Sequence, residues 1–433
     1  MNALEPSVPR VIGFDAHPDS FTAVLLRGAT PASAVVEKTF NKVPLGQLKS
    51  WAQKHTTAQD LFVLEASGNS FQVVRTLASV ERQAKVLESC HLGKLKESHA
   101  NNDKISAVRI GKAYLAGTAK EVWVPDAKTQ DRRDLFHVHR KAVQRTTQMS
   151  ARVRSYLSDN GVRLKAHCRL TQPGVVEEQI RQARSWSSHQ WQVIEGLLLE
   201  LRHAEEQRRH WRRLIGQEVL SDPQLLALMR LCGVREVVAF ALGAFIGDIQ
   251  RFAEPKQLVK YVGLQPAFDE SGESRWTGGL SGHGNKYLRC LLIEGAQAIL
   301  RCSQTPLAHW GRKLLARKGS RNLAVAAVAR KLTVAVWYLM RGRWSPLEEV
   351  DERLGLKVGK VIGNLGQELL EQLGTTRQKL RQEVYERLTA GKSSTPAGPG
   401  QPAAPPEPKT YVLDPAKQFT AKTQERGCAA GPP

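Results

Sequence analysis

Three carboxylates and a serine–glycine stretch carry most of the chemical potential of this chain. Asp15 closes the run Val11-Ile-Gly-Phe-Asp15, which reads as a strand; Ala-His-Pro-Asp follows as a tight turn, and residues 20–26 read as a strand pairing back. A carboxylate on the central strand of such a sheet costs desolvation energy unless a cation meets it. The natural partner for clustered carboxylates is a hard divalent metal. Glu65 ends a second strand-like run, Leu61-Phe-Val-Leu-Glu65, ahead of the turn sequence Ala-Ser-Gly-Asn. It therefore stands at the C-terminal rim where open α/β sheets concentrate function. Asp103 opens a helical pattern, with Ser106 three residues on and so its neighbour along the helix. Asp103 either caps that helix or binds metal, and the sequence leaves both roles open.

The second landmark spans 269–289 and sets Ser271, Ser274 and Ser281 among five glycines, with Arg275, His283, Lys286 and Arg289 nearby. Glycine lets a backbone approach a phosphodiester closely, and the cations suit a pentacovalent transition state. A serine there is a candidate nucleophile that would form a phosphoserine link. The plainer alternative is a flexible surface turn whose serines cap helices.

The elements that must position these residues follow from periodicity. Strands are expected at 10–15, 20–26, 34–40, 61–65 and 84–88, and helices at 44–55 and 69–82, which makes a mixed α/β sheet of the ribonuclease-H type. A polar, basic linker occupies 92–99. Residues 126–158 read as a cationic helix face, with Lys128, Arg132, Arg133, His137, His139, Arg140, Lys141, Arg145, Arg152 and Arg154. Few acids interrupt that face, and the two histidines, at i and i+2, belong to it rather than to a metal site. Residues 175–216 read as one long helix with a heptad seam through Ile180, Ala183, Ile194, Leu197, Leu201, Ala204, Trp211 and Ile215, a coiled coil within the chain or between protomers. Residues 219–345 are mostly helical. Within them, 228–239 resembles a helix-hairpin-helix turn, which either offers backbone amides to phosphate or simply packs two helices. From 391 onward the chain is Pro- and Gly-rich low complexity, with Tyr411-Val-Leu-Asp-Pro as a docking segment or an accident.

A chain of 433 residues has room for two or three cores. Its 63 basic and 41 acidic residues leave a net charge of +22, which points to a polyanionic partner. Nucleic acid is favoured over a membrane surface because no run of about 18 apolar residues occurs. No signal-peptide pattern opens the chain. The six cysteines show no CxxC spacing, which argues for reduced thiols and against structural zinc. The expected compartment is the cytoplasm, in association with the nucleoid.

Taken in order, the Asp15 strand, Glu65-Ala-Ser-Gly, Asn102-Asp103-Lys, Asp131-Arg-Arg-Asp-Leu and the Gly-Leu-Gln-Pro…Ser271-Gly…Gly284-Asn285-Lys-Tyr-Leu-Arg289 block resemble the insertion-sequence transposases of family one-ten, including its eleven-eleven subgroup, and the related Piv-type invertases. The likeness covers roughly 8–340. It implies a fold of class α/β plus α, with a RuvC-like sheet domain with a basic helical extension at 8–160 and a coiled coil at 173–217. A helical transposase domain with a catalytic serine loop at 219–345 completes it; beyond the likeness, C-terminal helices are expected at 346–390, and the low-complexity composition from 391 makes 391–433 an expected disordered tail. The implied activity is RNA-guided DNA recombination, with a non-coding bridge RNA, donor and target DNA, and homodimers that pair into tetramers as partners. The implied acids fall on Asp15, Glu65 and Asp103, holding Mg²⁺, and the implied nucleophile on Ser271, with Ser281 as the second choice. The fourth acid of the resemblance should stand where this chain has Ser106. Arg132, Arg133, Arg140, Lys141, Arg145, Arg275, His283, Lys286 and Arg289 are the expected nucleic-acid contacts. Two alternatives differ in class: a structure-specific nuclease using the acids alone, and a catalytically weakened RNA- or DNA-binding protein, suggested by Ser106.

Overall fold

The computed structural model describes residues 10–89, 102–164, 168, 170–172, 174–271, 274–343 and 353–390. The linker expected at 92–99 and the tail from 391, with its Tyr411 segment, lie outside the described residues.

Alternating apolar residues build a mixed sheet. β1 (Val11–Ala16), β2 (Ser20–Arg27) and β3 (Val35–Pro44) form an antiparallel meander. After α1 (Leu48–His55), β4 (Leu61–Glu65) returns parallel to β1. After α2 (Ser70–Ala78), β5 (Gln83–Leu87) lies parallel to β4. Helix α3 (Asp103–Leu115) leads to the two-residue β6 (Glu121–Val122), which closes the order β3-β2-β1-β4-β5-β6. Because side chains alternate across a strand, β1 splits its residues between two faces. Ile12 and Phe14 join Phe21, Trp51, Phe62, Leu64 and Leu77 on the side of α1 and α2. Val11 joins Val63, Leu87, Ile110 and Ala113 on the side of α3.

The basic stretch is a single 33-residue helix, α4 (Ala127–Asp159), capped by Asp126, whose carboxylate accepts from the Thr129 amide. The uninterrupted helix expected over 175–216 is instead two, α5 (Val175–Ala183) and α6 (Ser188–Ser221). The break has a local cause: Ser187 and Gln190 form a reciprocal capping box, and Arg184 is extended. The seam finds its partner within the chain. Ile194, Leu197 and Leu201 pack with Met149, Val153 and Leu157 of α4, while Ala183 is exposed and Trp211 half-buried. His139, expected on the cationic face, is only 6% exposed. At α-helical spacing it shares its side of α4 with Phe136 and Ala142 rather than with the exposed Lys141 and Arg145.

The remaining helices gather round one large core: α7 (Pro223–Leu228), α8 (Glu236–Ile246), α9 (Pro255–Val262), α10 (Lys286–Cys302), α11 (Pro306–Lys318), α12 (Arg321–Met340), α13 (Leu354–Leu365), α14 (Gln367–Gln372) and α15 (Arg377–Ala390). By length and composition α12 is apolar enough to cross a membrane. Yet 56% of its apolar window is buried, and Ala324, Val328, Leu332 and Val336 lie in this core.

The turn between α7 and α8 is a packing unit. Gly233 takes φ +78°, and a Cβ there would meet the Gly295 carbonyl oxygen at 2.7 Å. The buried Lys357 ammonium of α13 donates to the carbonyls of Met229, Leu231 and Val234. The start of α8 already holds a carboxylate, Glu236, which is 2% exposed and paired with Arg212. The helix dipole is thus met from within the chain.

The serine–glycine stretch expected to be a loop is largely a hairpin inserted between α9 and α10. Its strands are β7 (Pro266–Ser271) and β8 (Ser274–Leu280), paired in a register that sets Ser271 opposite Ser274. Phe268, Trp276 and Thr277 supply strand propensity that the glycine count obscures.

Candidate metal centre

The β1–β2 connection and the start of α3 bring three side chains together. Asp15 Oδ2 lies 3.9 Å from His17 Nε2, and Asp103 Oδ1 lies 3.4 Å from the same nitrogen. One donor atom from each of Asp15, His17 and Asp103 falls within 4.8 Å of the others. At a metal–donor distance of about 2.1 Å, octahedral ligands stand about 3.0 Å apart when adjacent and about 4.2 Å apart when opposite; the 3.4 and 3.9 Å separations from His17 Nε2 fall between the two.

Each residue is held for a local reason. Residues two apart on a strand share a face, so Asp15 projects to the same side of β1 as Gly13, and His17 follows just past the strand's end. His17 begins the turn: its amide donates to the Ser20 carbonyl, Pro18 takes the next position, and the Asn69 side chain donates to the His17 carbonyl. Asp103 is the first residue of α3, and Asn102 performs the capping, accepting from the Ile105 amide. Asp103 is therefore not the cap of α3. What sets α3 at this distance is Gly13, where an added Cβ would lie 1.9 Å from the Ala107 carbonyl oxygen. Only a strand without a side chain at that point lets the helix backbone come so close.

Burial pushes the Asp15 carboxyl above the ordinary carboxylate range, and Asp103 adds to this, while His17 and Arg109 oppose it. A divalent cation would relieve the same repulsion. His17 Nε2 is shielded from solvent and has no hydrogen-bond partner among the described residues. The donor set and this orphaned nitrogen together fit a divalent metal.

Glu65 stands one strand over. It follows Leu64, the register partner of Phe14, and pairs on its other side with Leu87, but it is not a member of the three-residue cluster. Ser106 is buried, and Arg109 Nη2 lies 3.4 Å from its hydroxyl oxygen, so a neutral group occupies that place. In the sequence His17 is concealed within Ala-His-Pro-Asp, which carries turn chemistry. Its i, i+2 spacing from Asp15 was the available signal.

Of the residues expected to touch nucleic acid, several are engaged within the fold. Arg132 Nη2 pairs with Asp222 at 2.6 Å and Glu218 at 3.1 Å. Arg133 donates to the Ala244 and Phe245 carbonyls and stacks on Trp123. Arg289 donates to the carbonyls of Gly282 and His283. Arg140 lies 4.4 Å from the centre of the Tyr287 ring. Lys141, Arg145, His283 and Lys286 are exposed. For Ser271 and Arg275 the described part is the paired backbone of the hairpin. Ser281 is half-buried, and its amide donates to the Gln265 carbonyl.

The hairpin is rooted by a glycine brace. A Cβ at Gly263 would meet the His283 carbonyl oxygen at 2.0 Å, and one at Gly284, with φ +107°, would meet the Gly263 nitrogen at 2.7 Å. The Asn285 amide donates to the Tyr261 carbonyl, and its side chain caps α10 by accepting from Tyr287 and Leu288. The Gly-Leu-Gln-Pro and Gly-Asn-Lys-Tyr-Leu-Arg runs are therefore the two sides of one clamp at the base of β7 and β8.

A sequence profile described as the transposase IS116/IS110/IS902 family matches residues 226–310, the stretch from α7 to α11 that includes this clamp. The chain is 24% identical over 281 residues to a protein described as the transposase for insertion sequence element IS1111A of Coxiella burnetii, a match spanning 64% of this chain and 77% of that one. It is 24% identical over 284 residues to a probable family 20 transposase of Pseudomonas aeruginosa, spanning 65% of this chain and 83% of the relative. With the transposase for insertion sequence element IS1328 of Yersinia enterocolitica it shares 22% identity over 320 residues, spanning 70% and 89%.

Proposed function

We propose that the chain is a transposase of the IS116/IS110/IS902 family, as its matched segment and its relatives support, and that it moves an insertion sequence by metal-assisted DNA strand cleavage and exchange through a serine–DNA link. The observation that carries this reading is the convergence of Asp15 and Asp103, from the sheet and the first turn of α3, on one donor-lined point. Asp15, Asp103 and His17 would hold the cation, with Glu65 on the adjacent strand. A bound cation, Mg²⁺ by the resemblance, supplies positive charge to a scissile phosphate. The sheet order, an antiparallel three-stranded meander followed by two parallel strands, supports a RuvC-like assignment for 8–160.

Ser271 is the nucleophile in this reading. Its hydroxyl oxygen bonds to phosphorus while the bond from phosphorus to the leaving strand's oxygen breaks, and the serine proton ends on that oxygen. Attack by the hydroxyl of an incoming strand reverses the step and restores the serine. The glycine clamp supports this role because it fixes the base of the hairpin that bears Ser271. The acids belong to the sheet and to α3 packed against it, and Ser271 to the helical part, 219–345, in keeping with sites shared between protomers in a dimer that pairs into a tetramer. The exposed Lys141, Arg145, His283 and Lys286 supply contacts for donor and target DNA and for a bridge RNA, and the net charge of +22 suits both. A cytoplasmic, nucleoid-associated setting follows from the DNA substrate.

The test is a recombination reaction with donor and target DNA and the RNA that co-purifies with the protein, stopped in denaturant. Wild type should trap a covalent protein–DNA adduct; Ser271→Ala, Asp15→Asn and Asp103→Asn should not, whereas Ser281→Ala should. Equal trapping by Ser271→Ala and wild type would remove Ser271 from the mechanism.

A further inference from the structure

We propose that His17 is itself a metal ligand, through Nε2, and that it makes this centre prefer Mn²⁺ to Mg²⁺. The inference rests on the metal-centre reading above and adds a ligand and a selectivity to it.

Three observations converge. The first is distance: Nε2 lies 3.4 Å from Asp103 Oδ1 and 3.9 Å from Asp15 Oδ2, the separations of atoms that share a coordination sphere rather than of a salt bridge at its optimum. The second is the state of the nitrogen. Nε2 is shielded from solvent and makes no hydrogen bond among the described residues, although a carboxylate stands on either side. A shielded polar atom without a partner is unfavourable, and coordination would satisfy it with the lone pair of the neutral ring. The third is the anchoring of His17. Its amide and its carbonyl are both hydrogen-bonded, to Ser20 and Asn69, so the imidazole is delivered from a fixed backbone.

Chemistry then sets the selectivity. Mg²⁺ prefers oxygen donors in a near-ideal octahedron, whereas first-row transition ions accept imidazole nitrogen readily. Ser106, buried beside Arg109, adds no negative charge, so nothing at that position tilts the site back toward Mg²⁺. Two carboxylates and one imidazole form a mixed set that Mn²⁺ fits better.

The experiment uses the purified full-length chain without nucleic acid. Mn²⁺ is titrated and followed by the loss of the free-ion electron paramagnetic resonance signal, with Mg²⁺ as competitor. Electron spin-echo modulation on the bound ion then reports nitrogen coordination. Wild type should show a nitrogen coupling that both His17→Ala and His17→Gln lose, and in both variants the preference for Mn²⁺ over Mg²⁺ should narrow by about tenfold. If Mn²⁺ binding depends on Asp15 and Asp103, by Asp15→Asn and Asp103→Asn, but affinity and nitrogen coupling are the same with and without His17, the histidine is not a ligand. If no Asp15- and Asp103-dependent binding occurs in any form, the metal centre itself falls, and His17 with it.

Discussion

Replacing Gly13 with alanine should damage the site without touching any of its ligands. A methyl at 13 would lie 1.9 Å from the Ala107 carbonyl oxygen, and ordinary contact begins at 3.4 Å, so the α3 backbone must retreat by about 1.5 Å. A carbonyl in a hydrogen-bonded helix cannot rotate aside as a side chain can, so the helix moves as a body. Overpacking of this kind costs about 1–3 kcal/mol. Because Asp103 is the first residue of α3, it travels with the helix, away from Asp15 and His17. A displacement of about 1 Å at reacting groups lowers rates by about 100-fold. Gly111→Ala is the matched control. Its methyl meets Leu26 Cδ1 at 2.4 Å, the far end of a flexible side chain, which can swing away. The assay pairs urea denaturation with the rate of adduct formation. Gly13→Ala should lose roughly 100-fold in rate as well as stability, and Gly111→Ala should lose less of both. A Gly13→Ala protein with wild-type rate and stability would refute the claim that close strand–helix approach sets the centre.

Two further outcomes concern the helical part. His139 is buried between α4 and α6, and burial, then the charges of Arg212 and Arg208, lower its pKa to about 4. The unfolded chain, with an ordinary value near 6.5, therefore binds a proton that the folded chain refuses between those limits. Its contribution is harmless above pH 6.5 and becomes destabilising as pH falls toward 4, reaching about 2 kcal/mol at pH 5. Unfolding free energies from urea titrations at pH 7 and pH 5 should differ by that much less in His139→Gln than in wild type; an equal difference would sink the assignment. Lys357→Met should strip the Met229, Leu231 and Val234 carbonyls of their buried donor and cost about 3 kcal/mol. A urea midpoint unchanged from wild type would show that the ammonium does not hold the turn.

Some features were legible from residue order alone, because their causes are local. Strict alternation placed β1, β2, β4 and β5 to within a residue or two, and the density of basic residues at helical spacing marked α4. The break at Ser187 was legible in principle, since the capping box is a four-residue signal, but a heptad pattern that runs straight through it spoke louder. The hairpin was hidden by its glycines and serines, which read as loop when counted and as strand when their neighbours are weighed.

The sequence by itself determined the type of chemistry: a carboxylate at a strand's end, another at a helix start, an excess of cations, and serines among glycines. Tertiary structure decided which of these groups meet. Asp15 and Asp103 stand 88 positions apart, and they converge only because Gly13 lets α3 lie against β1. The same distinction separates Arg132 from Lys141. Both are cations on one helix, yet Arg132 finds Asp222 and Glu218 of α6 and the turn after it, while Lys141 faces water. A side chain's charge is local information, but its partner is set by packing between elements distant in the chain, which no spacing along one element encodes.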